Sequence, residues 1–121
     1  MSEPLRKQLR ELVYAKCGGR CGYCGWTITM REMQMDHIHP RVAGGLDHID
    51  NLLPACRKCN NYKLFFPLEQ FRKMVATQVE LLRRNSMNFR TAERFGLVQA
   101  IPREIVFYFE QPPANLTGAK L

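Results

Sequence analysis

The chain has 121 residues and a formal net charge of +7, with 45% hydrophobic and 24% charged residues. This length fits one small domain, and the composition is that of a globular protein rather than a disordered or fibrous one. The N-terminal segment alternates charged with apolar residues, unlike a secretory signal, and no apolar run approaches the length of a membrane span. We therefore expect a cytoplasmic protein with no membrane partner. The positive charge favours a polyanionic partner, although many small domains are basic for solubility alone.

An amphipathic helix is predicted at the start of the chain, over SEPLRKQLRELVYAKC. Ser2 is a suitable N-cap, and Gly18 and Gly19 follow as a stop signal. The apolar positions recur at helical spacing. They are Leu5, Leu9, Leu12 and Val13.

The segment from Cys21 to about Phe66 lacks long periodic runs and is rich in Cys, His, Gly and Asn. This composition is typical of a small module organised by a metal ion rather than by a large apolar core. MQMDHI is predicted as a short strand, and VAGGLDHIDNL as a loop returning into a second strand or turn. A helix carrying CRKCNNYKLF should then begin near Pro54 or Ala55.

The C-terminal half is predicted to be mainly helical. PLEQFRKMVATQVELLRRN has one apolar face and reads as a single helix, and FRTAERFGLV as a shorter helix closed by Gly96. IVFYFE concentrates β-branched and aromatic residues, which predicts a strand. The PPANLTGAKL tail is predicted to be flexible. The apolar face of the long helix comprises Leu68, Phe71, Val75, Val79 and Leu82.

Four of the five cysteines form two CxxC pairs, Cys21 with Cys24 and Cys56 with Cys59. Each pair can place two thiolates on one tetrahedral ion, so the two pairs together predict a closed structural zinc site. A redox function would need only one pair. Cys17 is left over, either as a competing ligand or, as we favour, as a small half-buried apolar residue.

The order CGYC, DHIHPRVAGGLDHIDNL, CRKCNNYK resembles the HNH nucleases. The resemblance implies a small α+β fold, in which a ββα-metal core is held together by the four-cysteine zinc. An N-terminal helix and a C-terminal extension of helix plus strand complete the fold. We accordingly predict one domain over 1–121, with the nuclease core at 17–66, the extension at 67–111 and the tail at 112–121.

The resemblance also implies a reaction, the metal-dependent hydrolysis of DNA phosphodiester bonds. His37 would be the general base, since imidazole titrates near neutral pH. Asp36 and Asn60 would hold a divalent ion, and Asn51 would brace the loop that orients His37. The family often has histidine where this chain has Asn60, and an amide oxygen favours Mg²⁺ or Mn²⁺ as the catalytic ion.

Basic residues near the proposed centre are predicted to contact the DNA backbone, which gives affinity but little base specificity. One basic domain with no evident recognition module predicts weak sequence specificity, or specificity supplied by a protein partner. His39 is either a phosphate contact or a solvated loop residue, and Asp47 and Asp50 are predicted as turn and cap residues. The competing hypothesis is a non-catalytic zinc module that binds DNA or protein. The predicted DNA contacts are Arg41, Arg57, Lys58 and Lys63.

Overall fold

The computed structural model describes residues 2–112. Within that range the helices and strands, in chain order, are α1 (Glu3–Lys16), β1 (Gln34–His37), β2 (Leu52–Ala55), α2 (Arg57–Lys63), α3 (Leu68–Ala76), α4 (Gln78–Asn85) and α5 (Met87–Arg94). The predicted small α+β class is confirmed, and β1, β2 and α2 follow one another in the ββα order. Of the predicted flexible tail, the residues after Pro112 lie outside the described range.

The chain divides into two compact units. The first comprises the described parts of Met1–Leu68 and Val106–Leu121, and the second is Glu69–Ile105. The partition of the chain into a core at 17–66 and an extension at 67–111 stays a prediction. Among the described residues, no helix combines the length and the apolar character needed to cross a bilayer.

Helix α1 begins where the sequence predicts, with the Ser2 hydroxyl accepting the backbone N–H of Leu5. Its leucine face is less buried than predicted, because Leu5 and Leu12 are more than half exposed while Val13 is fully buried. Long polar side chains dock the helix instead, and each donates to backbone carbonyls elsewhere in the unit. The donors are Arg10 to Met30 and Met33, Tyr14 to Ile28, and Lys16 to Ile49 and Leu52.

The two strands pair antiparallel, with Asp36 opposite Leu53 and His37 opposite Leu52. Successive side chains of a strand point to opposite faces, so Asp36 and His37 are separated as the sequence predicts. The Asp36 side chain is buried inside the unit, whereas the His37 side chain is partly exposed. All four residues of β2 are buried, which makes this strand the centre of the unit's core.

The loop that carries the first cysteine pair packs directly on β2. The backbone N–H of Gly22 donates to the Pro54 carbonyl at 2.7 Å. A Cβ at residue 22 would lie 2.4 Å from Cγ of Leu53, a side chain that is 1% exposed. Glycine is therefore required there by close approach, and the backbone of the first CxxC rests on the sheet.

Gly22→Ala is expected to destabilise the unit by about 1–3 kcal/mol, the usual cost of overpacking a core. Urea unfolding of the zinc-loaded protein measures this loss. The double variant Gly22→Ala with Leu53→Ala removes the clash, so its loss should be smaller than the sum of the two single losses. Additive losses would show that the contact between Gly22 and Leu53 does not limit packing.

The predicted IVFYFE strand is wrong. Residues 105–107 form no strand, and Tyr108–Glu110 is a 3-10 turn. The Glu110 carboxylate accepts the Phe107 N–H at 2.9 Å, which closes the turn in the manner of a capping box. The segment still packs well, because the ring of Phe107 lies edge-on to Tyr23 at 5.2 Å between centroids. Aromatic content here reflects core packing rather than strand pairing.

The single helix predicted over PLEQFRKMVATQVELLRRN is interrupted at Thr77, between α3 and α4. The Thr77 hydroxyl donates to the Met74 carbonyl at 2.9 Å, and Gln78 Nε2 donates to the same oxygen. Such local side-chain bonds compete with the helical ladder and end it. The predicted apolar face is consequently uneven, with Phe71 buried and Leu82 42% exposed.

Candidate active site

The four predicted zinc ligands converge at one point of the first unit. The Sγ atoms of Cys21, Cys24, Cys56 and Cys59 all lie within 4.8 Å of one another. A zinc–sulfur bond of about 2.3 Å in a tetrahedral site implies sulfur separations of roughly 3.8 Å. The Cys24 and Cys56 sulfurs, at 3.9 Å, already match this value. The cluster therefore fits a tetrahedral metal ion, and it joins the loop after α1 to the first turn of α2.

The remaining cysteine differs from these four in its environment. Cys17 lies outside the four-sulfur cluster. Cys17 is 8% exposed, in agreement with its interpretation as a small apolar residue.

Asp36 forms a buried ion pair. Its Oδ2 lies 3.1 Å from the ammonium of Lys63, which is fully buried, and also accepts the Tyr23 hydroxyl. Burial and the Asp36 charge raise the pKa of Tyr23, so its hydroxyl keeps the proton that it donates. The Lys63 ammonium also donates to the His37 carbonyl at 2.9 Å. This cluster fixes α2 to β1 beside the proposed catalytic histidine.

The position of Lys63 corrects the prediction that it contacts DNA. A helical residue three positions after Asn60 shares its face, as the sequence indicates. That face turns towards β1, however, and the Lys63 ammonium is used by Asp36 and by the His37 carbonyl. A buried, paired ammonium is not available to a phosphate.

His37 is held by a residue that the sequence did not assign to the site. Its Nε2 lies 2.7 Å from Oδ1 of Asp47, and Asp47 also binds the guanidinium of Arg41 at 3.0 and 2.8 Å. The hydrogen bond from His37, followed by that from Arg41, lowers the pKa of Asp47. Within the described residues Nδ1 of His37 has no hydrogen-bond partner, and the side chain is 20% exposed.

Asn51 connects the two ends of the loop between the strands. Its Oδ1 accepts the His39 N–H, and its Nδ2 donates to the carbonyls of His39 and Leu46. These are the bonds of a loop brace. They act on His37 indirectly, since Leu46 directly precedes Asp47. Gly45 packs against the same turn, where a Cβ would meet the His39 carbonyl oxygen at 1.8 Å.

The other predicted site residues lie on α2 and its first turn. Asn60 is partly exposed, and Arg57 and Lys58 are exposed. Arg57 and Lys58 line a cavity of about 580 Å³ beside the cysteine cluster. The same cavity is lined by Trp26, which is 75% exposed. His39 bonds the Ala43 carbonyl through Nε2 at 2.9 Å, as a loop residue would.

The donor chemistry at Asp36 and Asn60 fits a hard divalent ion. A carboxylate and an amide oxygen are ligands that Mg²⁺ and Mn²⁺ accept. Oδ2 of Asp36 is used by Lys63 and Tyr23, whereas Oδ1 has no hydrogen-bond partner within residues 2–112. Oδ1 is therefore the carboxylate atom suited to the ion. An ion bound here would share the Asp36 carboxylate with the Lys63 ammonium.

Two comparisons with known proteins find sequences similar to this segment. Residues 21–64, which carry both cysteine pairs, His37 and Asn60, match the HNH endonuclease family model. A stretch of 45 residues is 42% identical to the CRISPR-associated endonuclease Cas9 of Corynebacterium diphtheriae. This stretch is 36% of the present chain but only 4% of that relative.

The site thus defines a ββα module with a four-cysteine cluster that can hold a metal ion. Residues 21–64 are similar to HNH endonuclease domains. The chain spans a small fraction, 4%, of the length of the Cas9 relative that it matches.

Proposed function

We propose that the protein is a metal-dependent endonuclease that hydrolyses phosphodiester bonds of DNA. The observation that carries the proposal is the HNH match over residues 21–64, which encloses both cysteine pairs and His37. The geometry of His37 supports it, because one ring nitrogen is held by Asp47 while the other has no partner in the described chain. A fixed imidazole with one unoccupied nitrogen is suited to general-base catalysis.

In this proposal His37 takes a proton from the attacking water at Nδ1. Asp47 holds the ring, and Asn51 keeps the loop closed around it. Asp36 and Asn60 would hold the catalytic Mg²⁺ or Mn²⁺, and Lys63 with Tyr23 fixes the Asp36 carboxylate. When bound, the ion stabilises negative charge on the phosphate and on the leaving oxygen.

The four-cysteine cluster has a separate role as a structural zinc site. Four thiolates saturate a tetrahedral ion, which leaves no open position for substrate. The bound ion would fix the first CxxC loop and α2 on either side of β1 and His37. Reduced thiols are required, which supports a cytoplasmic location.

The DNA backbone would contact Arg41, Arg57 and Lys58, all of which are exposed. Arg41 is already paired with Asp47, so its guanidinium would bind the phosphate and the Asp47 carboxylate together. Contacts of this kind predict binding that weakens steeply with salt and depends little on sequence. Specificity beyond that would come from a protein partner.

Asn60→Ala is expected to raise the Mg²⁺ or Mn²⁺ concentration needed for half-maximal cleavage, because the variant removes a metal-binding amide. Partners of metal ligands typically contribute about 10- to 100-fold in affinity, and a direct ligand should contribute at least as much. Plasmid cleavage across a metal titration, with zinc content measured beside it, gives the shift. Asn61→Ala is the matched control, since Asn61 is the exposed neighbour on the same helix. Equal metal requirements in the two variants would remove Asn60 from the ion site.

A second candidate is a non-catalytic zinc module that binds DNA or protein. The buried pair of Asp36 with Lys63 favours it, because this pair balances the carboxylate charge without a divalent ion. It predicts no cleavage of plasmid at any Mg²⁺ or Mn²⁺ concentration. It also predicts DNA binding that Asn60→Ala does not alter.

A further inference from the structure

The carboxylate of Asp47 joins two residues with different tasks in the proposed reaction. Its Oδ1 is 2.7 Å from Nε2 of His37 and 3.0 Å from Nε of Arg41. Its Oδ2 is 2.8 Å from Nη2 of the same arginine. Arg41 thus binds the carboxylate in the bidentate manner that fixes its plane, and the fixed oxygen faces the imidazole.

The bond between Asp47 and His37 determines which nitrogen of the ring carries the proton. An ionised carboxylate only accepts hydrogen bonds, so the ring nitrogen facing it must be the N–H donor. Nε2 is then protonated in the neutral ring, and Nδ1 keeps its lone pair. In serine proteases a buried carboxylate holds the catalytic histidine in one tautomer and orientation in the same way, and its loss leaves the base in the wrong tautomer.

The loop geometry supports this assignment independently of the ion pair. Asn51 bonds the carbonyl of Leu46, the residue before Asp47, and the backbone of His39, two residues after His37. The brace therefore fixes the backbone near both members of the hydrogen bond. Asp50, by contrast, has an 89% exposed side chain and lies near His48.

We propose that Asp47 is a positioning residue for the nuclease reaction, one that holds the His37 ring with Nε2–H towards its carboxylate and Nδ1 towards the attacking water. Arg41 fixes Asp47 in turn, and it lies where the backbone of the bound DNA would approach. The inference rests on the proposed nuclease function. Its structural part, the state of the His37 ring, is measurable without any cleavage.

The ring state is tested by nitrogen NMR of the histidine side chains in the zinc-loaded protein. The parent should show His37 as a single Nε2–H tautomer, while Asp47→Ala should give an averaged signal. Asp47→Glu should restore the single tautomer, and Asp50→Ala should leave it unchanged. An identical His37 signal in the parent and in Asp47→Ala would overturn the inference, whether or not the protein cleaves DNA.

The catalytic part is tested by steady-state cleavage. Asp47→Ala should lower kcat by roughly 10- to 100-fold, less than loss of the base itself, with KM within about threefold of the parent. Arg41→Ala should raise KM, since it removes a phosphate contact, and should lower kcat by less than Asp47→Ala, since the Asp47 carboxylate remains but is no longer fixed by the guanidinium. If Asp47→Ala retains the parent kcat while His37→Ala is inactive, the inference fails but the nuclease function stands. If the parent itself does not cleave, the nuclease function fails and the NMR result alone decides the role of Asp47.

Discussion

Removing a metal ion held by the cysteine cluster should unfold the ββα module around it. Structural zinc contributes an apparent binding free energy of about 10–16 kcal/mol, comparable to the whole stability of a typical domain. Without the ion, the module would depend on two four-residue strands and the seven-residue helix α2, whose packing is too small to supply that free energy. We therefore expect Cys21→Ser and Cys59→Ser to lose the zinc and most of the ordered structure, as measured by bound zinc and circular dichroism.

Cys17→Ala is the matched control for this experiment. Cys17 is buried like Cys21, but it lies outside the four-sulfur cluster. It should keep one zinc per chain and lose only the packing energy of a small side chain. Equal zinc loss in Cys17→Ala and Cys21→Ser would mean that the ligand set is wrong.

Lys63→Met is expected to cost about 3–5 kcal/mol of unfolding free energy. The substitution leaves the Asp36 carboxylate buried without its counter-charge, and breaking such a pair from one side is strongly destabilising. The cost also includes the bond from Lys63 to the His37 carbonyl. Chemical denaturation of zinc-loaded protein gives the value, and Lys58→Met, at an exposed position of the same helix, should stay within about 0.5 kcal/mol.

The double variant Lys63→Met with Asp36→Leu separates the charge effect from lost packing. Replacing both members of a buried pair by apolar residues is often neutral, so most of the stability should return. A loss in Lys63→Met no greater than in Lys58→Met would contradict the ion pair. Two independent losses that simply add would contradict it as well.

The local sequence predicted those parts of the fold that depend on neighbouring residues. The cap at Ser2, the two CxxC pairs, and the alternation of Asp36 with His37 follow from spacing and from strand or helix period. The IVFYFE strand was wrong because a strand needs a partner, and β propensity measures packing on neighbours as much as backbone preference. There Glu110 closes a turn on Phe107 instead.

The parts of the site that sequence missed are contacts between distant residues. Helical spacing puts Lys63 on the side of α2 that carries Asn60, but the burial of Lys63 depends on how α2 lies against β1. The bond from the Tyr23 hydroxyl to Asp36 likewise joins residues 13 positions apart in the chain. Asp47 looked like a turn residue. Its carboxylate gives no periodic signal in the sequence, since its bond to His37 crosses ten residues of loop.

The most direct test is the rate of plasmid cleavage in Mg²⁺ or Mn²⁺ by the zinc-loaded parent and by His37→Ala. His39→Ala serves as the paired control, because His39 follows His37 by two residues and its ring bonds the Ala43 carbonyl. Removal of a general base typically costs about 10²- to 10⁴-fold, so His37→Ala should fall by that factor with zinc content unchanged. His39→Ala should stay within a few-fold of the parent. Cleavage by His37→Ala at the parent rate would contradict the assignment of the base, and no cleavage by the parent would contradict the nuclease function.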